Sequence, residues 1–379
     1  MERIYLDHAA TTPLDSEVFE KMTPYFTVVF GNADSPHGEG RRAMHAVDEA
    51  RDTLSSLLNA NKNEIYFTSG GTEADNWAVL GAARAKAEEG RKKIVLSSIE
   101  HHAVLSAAER LEKDGFIVEY LPVGLDGAVD ETAIERAVDE RTALVCLMAA
   151  NNETGVLQPI AATEKIAHER GALLFVDAVQ LAPYTPIDVK KMGVDLLSVS
   201  AHKFYGPKGI GALYIKSGVR MQKLVGGGEQ ERGMRGGTTN VPAVVGFAAA
   251  YKKARENMQE NGEKLLALRS AFLQEIAALD GVEQNGADGL PAVLNLRFDG
   301  IDNTAFLFNM DLNGVCVAAG SACASASVKP SHVLTAMGLT ESQAKSSVRF
   351  SFGKENTQEE IAKAAGLVVE IVKKLRAMQ

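Results

Sequence analysis

The strongest constraint on the fold is a regular alternation of short apolar runs and longer amphipathic segments between residues 65 and 215. The apolar runs are too short for helices and are rich in β-branched and aromatic residues, so they predict strands. Seven strands are expected, at residues 65–68, 93–97, 116–121, 143–148, 173–176, 194–199 and 211–215. Strands that alternate with helices form a mostly parallel sheet with helices on both faces. We therefore predict an α/β fold whose ligands bind beyond the carboxyl ends of these strands.

The pattern changes towards the C-terminus. A helical pattern at 244–279 precedes strands expected at 293–298, 315–318 and 347–352 and helices expected at 304–310 and 358–378. This part predicts a second, smaller α+β domain. A chain of 379 residues is too long for one minimal domain. We divide it into an N-terminal arm that packs with the small domain (1–15), a large domain (16–257) and a small C-terminal domain (258–379).

Composition excludes several classes of protein. The net charge of −9 argues against direct nucleic-acid binding, because proteins that bind nucleic acid are usually basic. No apolar run reaches the ~18 residues of a membrane span. Cys146, Cys316 and Cys323 form no CxxC pair and favour a reducing compartment, so we expect a cytoplasmic protein. The neighbours His101 and His102 would point about 100° apart on a helix, so they do not predict a metal site.

A glycine-containing segment at residues 68–76 joins the first strand to a helix. Glycine lets the backbone approach a ligand closely, and the N–H groups at a helix N-terminus attract phosphate. The segment lacks GxxxxGK[ST], which excludes a nucleotide P-loop. The segment is therefore a candidate phosphate-binding site. The alternative is an ordinary helix start with Ser69 or Thr72 as its cap.

Polar residues follow three further strands, at the edge of the sheet where ligands bind. His101 could stack on an aromatic ligand, and Asn152 lies in a turn directly after an apolar strand. Asp177 ends an apolar strand, and a protonated pyridinium nitrogen would be a suitable partner for its carboxylate. Each also has an ordinary interpretation. His101 could be a satisfied polar residue, Asn152 a turn former, and Asp177 a helix cap or half of an ion pair.

Lys203 follows the apolar run at 194–199 and precedes the turn signal Gly206-Pro207. A lysine at the end of a buried strand is partly desolvated, which lowers its pKa and makes the amine a usable nucleophile. Ser200 and His202 lie beside it. The alternative is a surface lysine in a loop.

The C-terminal half contributes three more features. The glycine-rich segment at 226–240 is expected to lie near a ligand or a second subunit, or else to be a flexible surface loop. The neighbours of Cys323 are all small, so we expect an exposed, mobile thiol that can act as a nucleophile, whereas Cys146 and Cys316 lie in strands as core residues. Arg349, in an alternating strand, could clamp a carboxylate with two hydrogen bonds or belong to a solvated strand face.

Together the segments carry a specific resemblance that covers nearly the whole chain. The motifs SGGTEADN, EHHAV, NNETG, DAVQ, SAHKFYGPKG, GGGEQERGMRGGT, GSACASAS and SSVRFSFG resemble those of the cysteine desulfurases of the NifS/IscS kind. This resemblance implies the fold of the fold-type I enzymes that depend on pyridoxal 5′-phosphate (PLP). Two departures, Asp34 after Phe-Gly-Asn and Gly70-Gly71 in place of a common Gly-Ala, touch no implied role.

The resemblance implies roles for single residues around the cofactor. Lys203 would hold PLP covalently and His101 would stack on its ring. Asp177 would pair with the ring nitrogen and Gln180 with the ring hydroxyl. The residues implied in phosphate binding are Gly71, Thr72, Ser200, His202 and, from the neighbouring subunit of a homodimer, Thr238.

The resemblance also implies a reaction. Asn152, which would also contact the cofactor, and Arg349 would hold the carboxylate of L-cysteine. Cys323 would take its sulfur as a persulfide and leave L-alanine. The sulfur would pass to an acceptor protein, an iron–sulfur scaffold or a tRNA-thiolating enzyme. The alternatives are an aminotransferase or selenocysteine lyase, which would not need Cys323, and a sulfur carrier, which would not need Lys203 and Asp177.

Overall fold

The computed structural model describes residues 3–320 and 330–378. Its strands are β1 (Ile4–Tyr5), β2 (Ile65–Thr68), β3 (Lys93–Ser97), β4 (Ile117–Leu121), β5 (Thr142–Cys146), β6 (Leu173–Asp177), β7 (Leu196–Ser200), β8 (Gly211–Ile215), β9 (Val282–Gln284), β10 (Val293–Phe298), β11 (Val315–Cys316) and β12 (Ser347–Ser351). Its helices are α1 (Ser16–Met22), α2 (Pro24–Thr27), α3 (Gly38–Leu58), α4 (Gly71–Ala87), α5 (His102–Lys113), α6 (Glu131–Ala137), α7 (Ile160–Glu169), α8 (Val189–Met192), α9 (Val241–Glu256), α10 (Met258–Ile276), α11 (Asn303–Leu312), α12 (His332–Ala336), α13 (Glu341–Lys345) and α14 (Gln358–Arg376).

The central sheet has seven strands in the order β2-β8-β7-β6-β5-β3-β4. The pairs among β7, β6, β5, β3 and β4 are parallel, and β8 alone runs against both of its neighbours. The predicted α/β class with a mostly parallel sheet is confirmed. Because β2, β3, β5, β6 and β7 run in one direction, the residues that follow them meet at one edge of the sheet.

Helices cover both faces of this sheet. Successive side chains of a strand point to opposite faces, and β5 shows the consequence. Its Val145 lies in the apolar cluster that includes residues of α3 and α9, whereas Leu144 and Cys146 lie in the cluster with α4 and α5. The sheet is thereby fixed between two apolar layers.

The C-terminal part forms a second layer with its own core. The antiparallel sheet β9-β10-β12 packs with α10, α11 and α14 around Phe272, Phe298, Phe306 and Phe350. The N-terminal arm joins it, because β1 pairs in parallel with β11 and Leu6 is fully buried in the same cluster. The boundaries at residues 15 and 257 remain predictions.

The helical pattern expected at 244–279 corresponds to two helices, α9 and α10, that meet at Asn257. Its side-chain Nδ2 donates to the Lys253 carbonyl at 2.8 Å. Asparagine competes with the helical backbone in this way, which explains why the helix is interrupted there. Within the described residues, no helix is both long enough and apolar enough to cross a membrane.

Candidate active site

A cavity of about 180 Å³ opens at the carboxyl edge of the central sheet. It brings together most of the residues predicted from the sequence, and its lining is Ala9, Ala10, Gly71, Thr72, Asp75, His101, Met148, Asn152, Asp177, Val179, Gln180, Ser200, His202, Lys203 and Arg349. A larger cavity of about 240 Å³ lies between α1, α9 and the segment after β12, and it shares only Lys203 with this set.

Lys203 is half-buried in the short turn after β7. Its Nζ donates to the carbonyl oxygens of Ala9 at 2.6 Å and Ala10 at 2.8 Å. Both acceptors belong to the N-terminal loop, almost 200 residues away in the sequence. The arm therefore lines the cavity and orients the amine that the sequence predicts to be the nucleophile.

Asp177, the last residue of β6, is 6 % exposed at the floor of the cavity. Its Oδ1 accepts a hydrogen bond from the Val179 amide at 2.9 Å. Burial raises the pKa of this carboxyl group to about 6, while the Val179 amide and the charge of Lys203 act in the opposite direction. The nearby Gln180 side chain donates to the Ala9 carbonyl at 3.0 Å.

Two histidines face the cavity as neutral rings. His101 precedes α5, and its Nδ1 accepts from the Ala103 amide at 3.2 Å, which leaves the proton on Nε2. His202 Nδ1 lies 3.1 Å from Thr11 Oγ1. Burial is the main reason that the pKa of each ring is lowered to about 4. At neutral pH both rings are therefore uncharged and able to pack against an aromatic ligand.

The start of α4 offers backbone donors that have no partner among the described residues. Gly70, at the cap position, has φ of 152°, and no described side chain caps the helix, so the alternative of a Ser69 or Thr72 cap is wrong. A Cβ atom on Gly71 would lie 3.1 Å from Val179 Cγ2 and 3.6 Å from Ser200 Cβ, so a side chain here would require Val179 to shift by a few tenths of an ångström. The open space around this helix start is also lined by Thr72, Ser200, His202 and Lys208.

Arg349, in β12, is 1 % exposed, so the alternative of a solvated strand face is wrong. Its Nη2 pairs with Asp7 at 2.7 Å, and its Nη1 donates to the Asn152 carbonyl at 2.9 Å. Nε is buried and has no hydrogen-bond partner among the described residues. The guanidinium group therefore retains a donor for a further acceptor.

Two predicted site residues are not placed in this cavity. Thr238 is exposed and lines a neighbouring groove together with Ser69. Cys323 lies outside the described residues, so the expectation that its loop is mobile stays a prediction. Of the other cysteines, Cys146 is fully buried as expected, whereas Cys316 is only half-buried, and its Sγ lies 3.8 Å from Arg3 Nη1.

Sequence reasoning missed three features of the cavity. The carbonyls of Ala9 and Ala10 carry no side-chain signal, and Met148 looks like any core residue. Asp75 carries a signal, since it is an acidic residue in the segment at 68–76, but an acidic residue near a helix start is equally typical of an ordinary helix.

The arrangement fits PLP. A helix start with free amides and no cap suits its phosphate, a buried carboxylate suits a pyridinium nitrogen, and an oriented lysine suits its aldehyde. The residues that would hold it are Gly71, Thr72, His101, Asn152, Asp177, Gln180, Ser200, His202 and Lys203.

Comparisons with known proteins agree with this chemistry. The family model described as aminotransferase class-V matches residues 4–363. A protein of Clostridium botulinum strain Hall, named cysteine desulfurase IscS, is 46 % identical over 382 residues that cover 100 % of this chain and 96 % of the relative. The putative cysteine desulfurase IscS 1 of Bacillus subtilis strain 168 is also 46 % identical, over 99 % of this chain and 100 % of its own length.

Solved structures give the same result. A NifS-like protein superposes with a TM-score of 0.92 at 36 % identity, over 98 % of this chain and 100 % of that structure. The structure described as SspA in complex with cysteine has a TM-score of 0.82 at 34 % identity, over 93 % and 100 %. The chain therefore belongs to the aminotransferase class-V family and, within it, to the cysteine desulfurases, enzymes that use PLP.

Proposed function

We propose that this protein converts L-cysteine into L-alanine and passes the sulfur atom through Cys323 to an acceptor protein. The observation that carries the proposal is the cavity in which Lys203, Asp177, His101 and Arg349 meet at one edge of the sheet. No other class of reaction considered from the sequence needs a nucleophilic lysine, a carboxylate for a pyridinium nitrogen and a buried arginine together with an accessible cysteine.

PLP, when bound, supplies an electron sink for the α-carbon of an amino acid. The chain's own residues would hold and orient it. Lys203 would bind its aldehyde carbon, Asp177 would accept a hydrogen bond from its ring nitrogen, and His101 would stack on the ring. Gln180 would meet the ring hydroxyl, and the amides at the start of α4 would bind the phosphate together with Ser200 and His202.

The substrate carboxylate is held by Arg349 and Asn152. Arg349 is buried and already paired with Asp7, so its position is fixed before the substrate arrives. Its unpartnered Nε provides the additional donor that a carboxylate needs. This preorganisation limits the orientation of the substrate and brings its thiol side chain to a defined side of the cavity.

The sulfur transfer balances without an external oxidant. The Cys323 thiolate attacks the substrate sulfur, a new S–S bond forms, and the bond between sulfur and the β-carbon breaks. The electron pair of that bond stays with the β-carbon, which gains a proton to become the methyl group of alanine. The enzyme cysteine ends as a persulfide, and a thiolate of an acceptor can take its outer sulfur atom and release the Cys323 thiolate.

The acceptor and the assembly belong to the same proposal. An iron–sulfur scaffold and a tRNA-thiolating enzyme both fit a protein persulfide donor. A homodimer would let Thr238 contribute to the phosphate site of the neighbouring subunit. We expect the dimer to work in the cytoplasm, where low-molecular-weight thiols keep Cys323 reduced.

The test is alanine formation from L-cysteine by three single variants. Cys323→Ser should form no alanine and no sulfide, since a hydroxyl group cannot take up the sulfur. Cys146→Ser and Cys316→Ser should keep most of the native rate, because neither residue lines the cavity. Full activity in Cys323→Ser would favour an aminotransferase or a selenocysteine lyase, and a loss confined to Cys316→Ser would move the nucleophile.

A further inference from the structure

Two aspartates, not one, face the floor of the cavity. Besides Asp177, the cavity is lined by Asp75 of α4, and Asp75 is 2 % exposed. The Ser198 hydroxyl donates to Asp75 Oδ1 at 2.6 Å. Ser198 is also the residue of β7 that pairs with Asp177 of β6 in the sheet register. The proposed function uses Asp177 and leaves Asp75 without a role.

The surroundings of Asp75 contain more acid than base. The titratable groups that interact electrostatically with Asp75 are Asp177 from β6, Glu100 from the turn after β3 and the buried thiol of Cys146 from β5. The positive charge of Lys203 acts on Asp177. Within residues 3–320 and 330–378, no lysine, arginine or histidine nitrogen lies within 4.0 Å of the Asp75 carboxyl oxygens. Two carboxylates in one buried site cannot both ionise at ordinary cost.

The hydrogen bonds indicate which of the two carries the charge. Asp177 accepts a backbone amide from Val179, which favours its ionised form. The hydrogen bond that the described residues give the Asp75 carboxyl group is with a serine hydroxyl, which can either donate to a carboxylate or accept from a carboxylic acid. In agreement with this difference, burial and the charge of Asp177 raise the pKa of Asp75 well above its usual range.

We propose that Asp75 is a positioning residue that remains protonated at neutral pH and thereby leaves Asp177 as the single negative charge at the floor of the cavity. The role rests on the proposed function, because it concerns the partner of the cofactor's ring nitrogen. A second full charge beside Asp177 would make ionisation of Asp177 itself harder. A neutral carboxylic acid in the same place fills the space, keeps the hydrogen bond with the Ser198 hydroxyl and adds no charge. In other enzymes, different environments likewise separate the pKa values of two neighbouring carboxyl groups, so that one acts as an acid and the other as a base.

The first experiment reads the protonation state directly in the protein without cofactor. Aspartate labelled with ¹³C at the carboxyl carbon is titrated by NMR, and the two signals are assigned with Asp75→Asn and Asp177→Asn. The Asp75 signal should be that of a protonated acid at pH 7 and should titrate above it. Ser198→Ala should move this titration to higher pH, because the serine hydrogen bond lowers the pKa of Asp75. An ionised Asp75 at pH 7 would overturn the proposal.

The second experiment compares the same two substitutions in the PLP-loaded enzyme. Asp75→Asn keeps a neutral group of the same shape, so the rate of alanine formation at pH 7 should stay within about threefold of the native rate. Asp177→Asn, the matched control, should lose at least about a hundredfold, since an amide cannot hold the pyridinium proton. If Asp75→Asn loses as much as Asp177→Asn, the charge of Asp75 is needed and the proposal is wrong. If the native enzyme formed no alanine, the proposed function would fail, while the NMR titration would still decide the state of Asp75.

Discussion

Glu100 is fully buried directly before His101 in the sequence. Its Oε1 accepts from the Met148 amide at 2.8 Å and from Ser97 Oγ at 2.6 Å, and in the described part of the chain its Oε2 has no hydrogen-bond partner. Burial is the main reason that the pKa of Glu100 is raised to about 8. The same burial lowers the pKa of His101 to about 4. At neutral pH Glu100 and His101 are therefore both kept uncharged by burial, which acts oppositely on acids and bases.

Glu100→Gln should be more stable than the native protein, and this difference in the free energy of unfolding should grow as the pH rises. A glutamate in the unfolded chain releases its proton near pH 4.5, whereas folded Glu100 keeps it up to about pH 8. Between these values the folded protein holds the extra proton, so the free energy of unfolding of the native protein falls as the pH rises. Glu100→Gln lacks this loss and should gain at most roughly 5 kcal/mol relative to the native protein at pH 8. Urea unfolding of both proteins at pH 5 and pH 8 measures this difference. If the free energies of unfolding of Glu100→Gln and the native protein differ by the same amount at both pH values, Glu100 is not a buried neutral acid.

At the scale of the elements, the sequence predicts what repeats locally and misses what depends on distant contacts. The seven central strands are found within about two residues of the predicted bounds, because each is a short apolar run between turn signals. The helical pattern at 244–279 does not by itself mark the break at Asn257, where the predicted domain boundary falls, since an asparagine is tolerated inside many helices. The contact of Lys203 with the carbonyls of Ala9 and Ala10 could not be predicted, because it joins residues almost 200 positions apart and its acceptors are backbone atoms.

The candidate site shows the same division. Polar residues at strand ends were identifiable because parallel strands bring their ends to one edge. The burial of Arg349 was not identifiable, because it depends on the arm placing Asp7 against β12. The arm reaches that position through the pairing of β1 with β11 and of Asp7 with Ser351.

This contact between the arm and β12 should matter for stability. Asp7→Asn leaves the Arg349 guanidinium buried without its counter-charge, so the free energy of unfolding should fall by about 2 kcal/mol. Asp311→Asn is the matched control. It removes the Asp311 partner of Arg3 in the same part of the fold, where the two side chains are 61 % and 58 % exposed. That change should cost less than about 1 kcal/mol. Equal losses in urea unfolding would show that Arg349 does not need Asp7 as its counter-charge.

At the scale of the whole molecule, the end of the cavity at the start of α4 opens towards the glycine-rich segment. Ser69 and Gly209 line both the space at the start of α4 and the groove that contains Thr238. The groove is held in shape by the pair between Arg235 Nε and Glu73 Oε1 at 2.8 Å. Thr238 itself is exposed beside this opening. Two assignments follow, in which Thr238 serves the site of its own chain or that of a neighbouring subunit.

Mixed dimers separate these assignments. We expect Thr238→Glu to weaken PLP binding, because a carboxylate at this position repels the phosphate, and Lys203→Ala to abolish turnover. In a dimer with one subunit of each kind, the subunit with Lys203 intact would receive a native Thr238 from its partner only if Thr238 acts across the interface. Such mixed dimers, isolated with two different affinity tags, should then bind PLP at one site with native affinity and reach about half of the native rate of alanine formation, since the two sites of a symmetric dimer are equivalent. If Thr238 serves its own chain, that same site keeps the glutamate, and the mixed dimer should reach only about half of the activity of the Thr238→Glu protein.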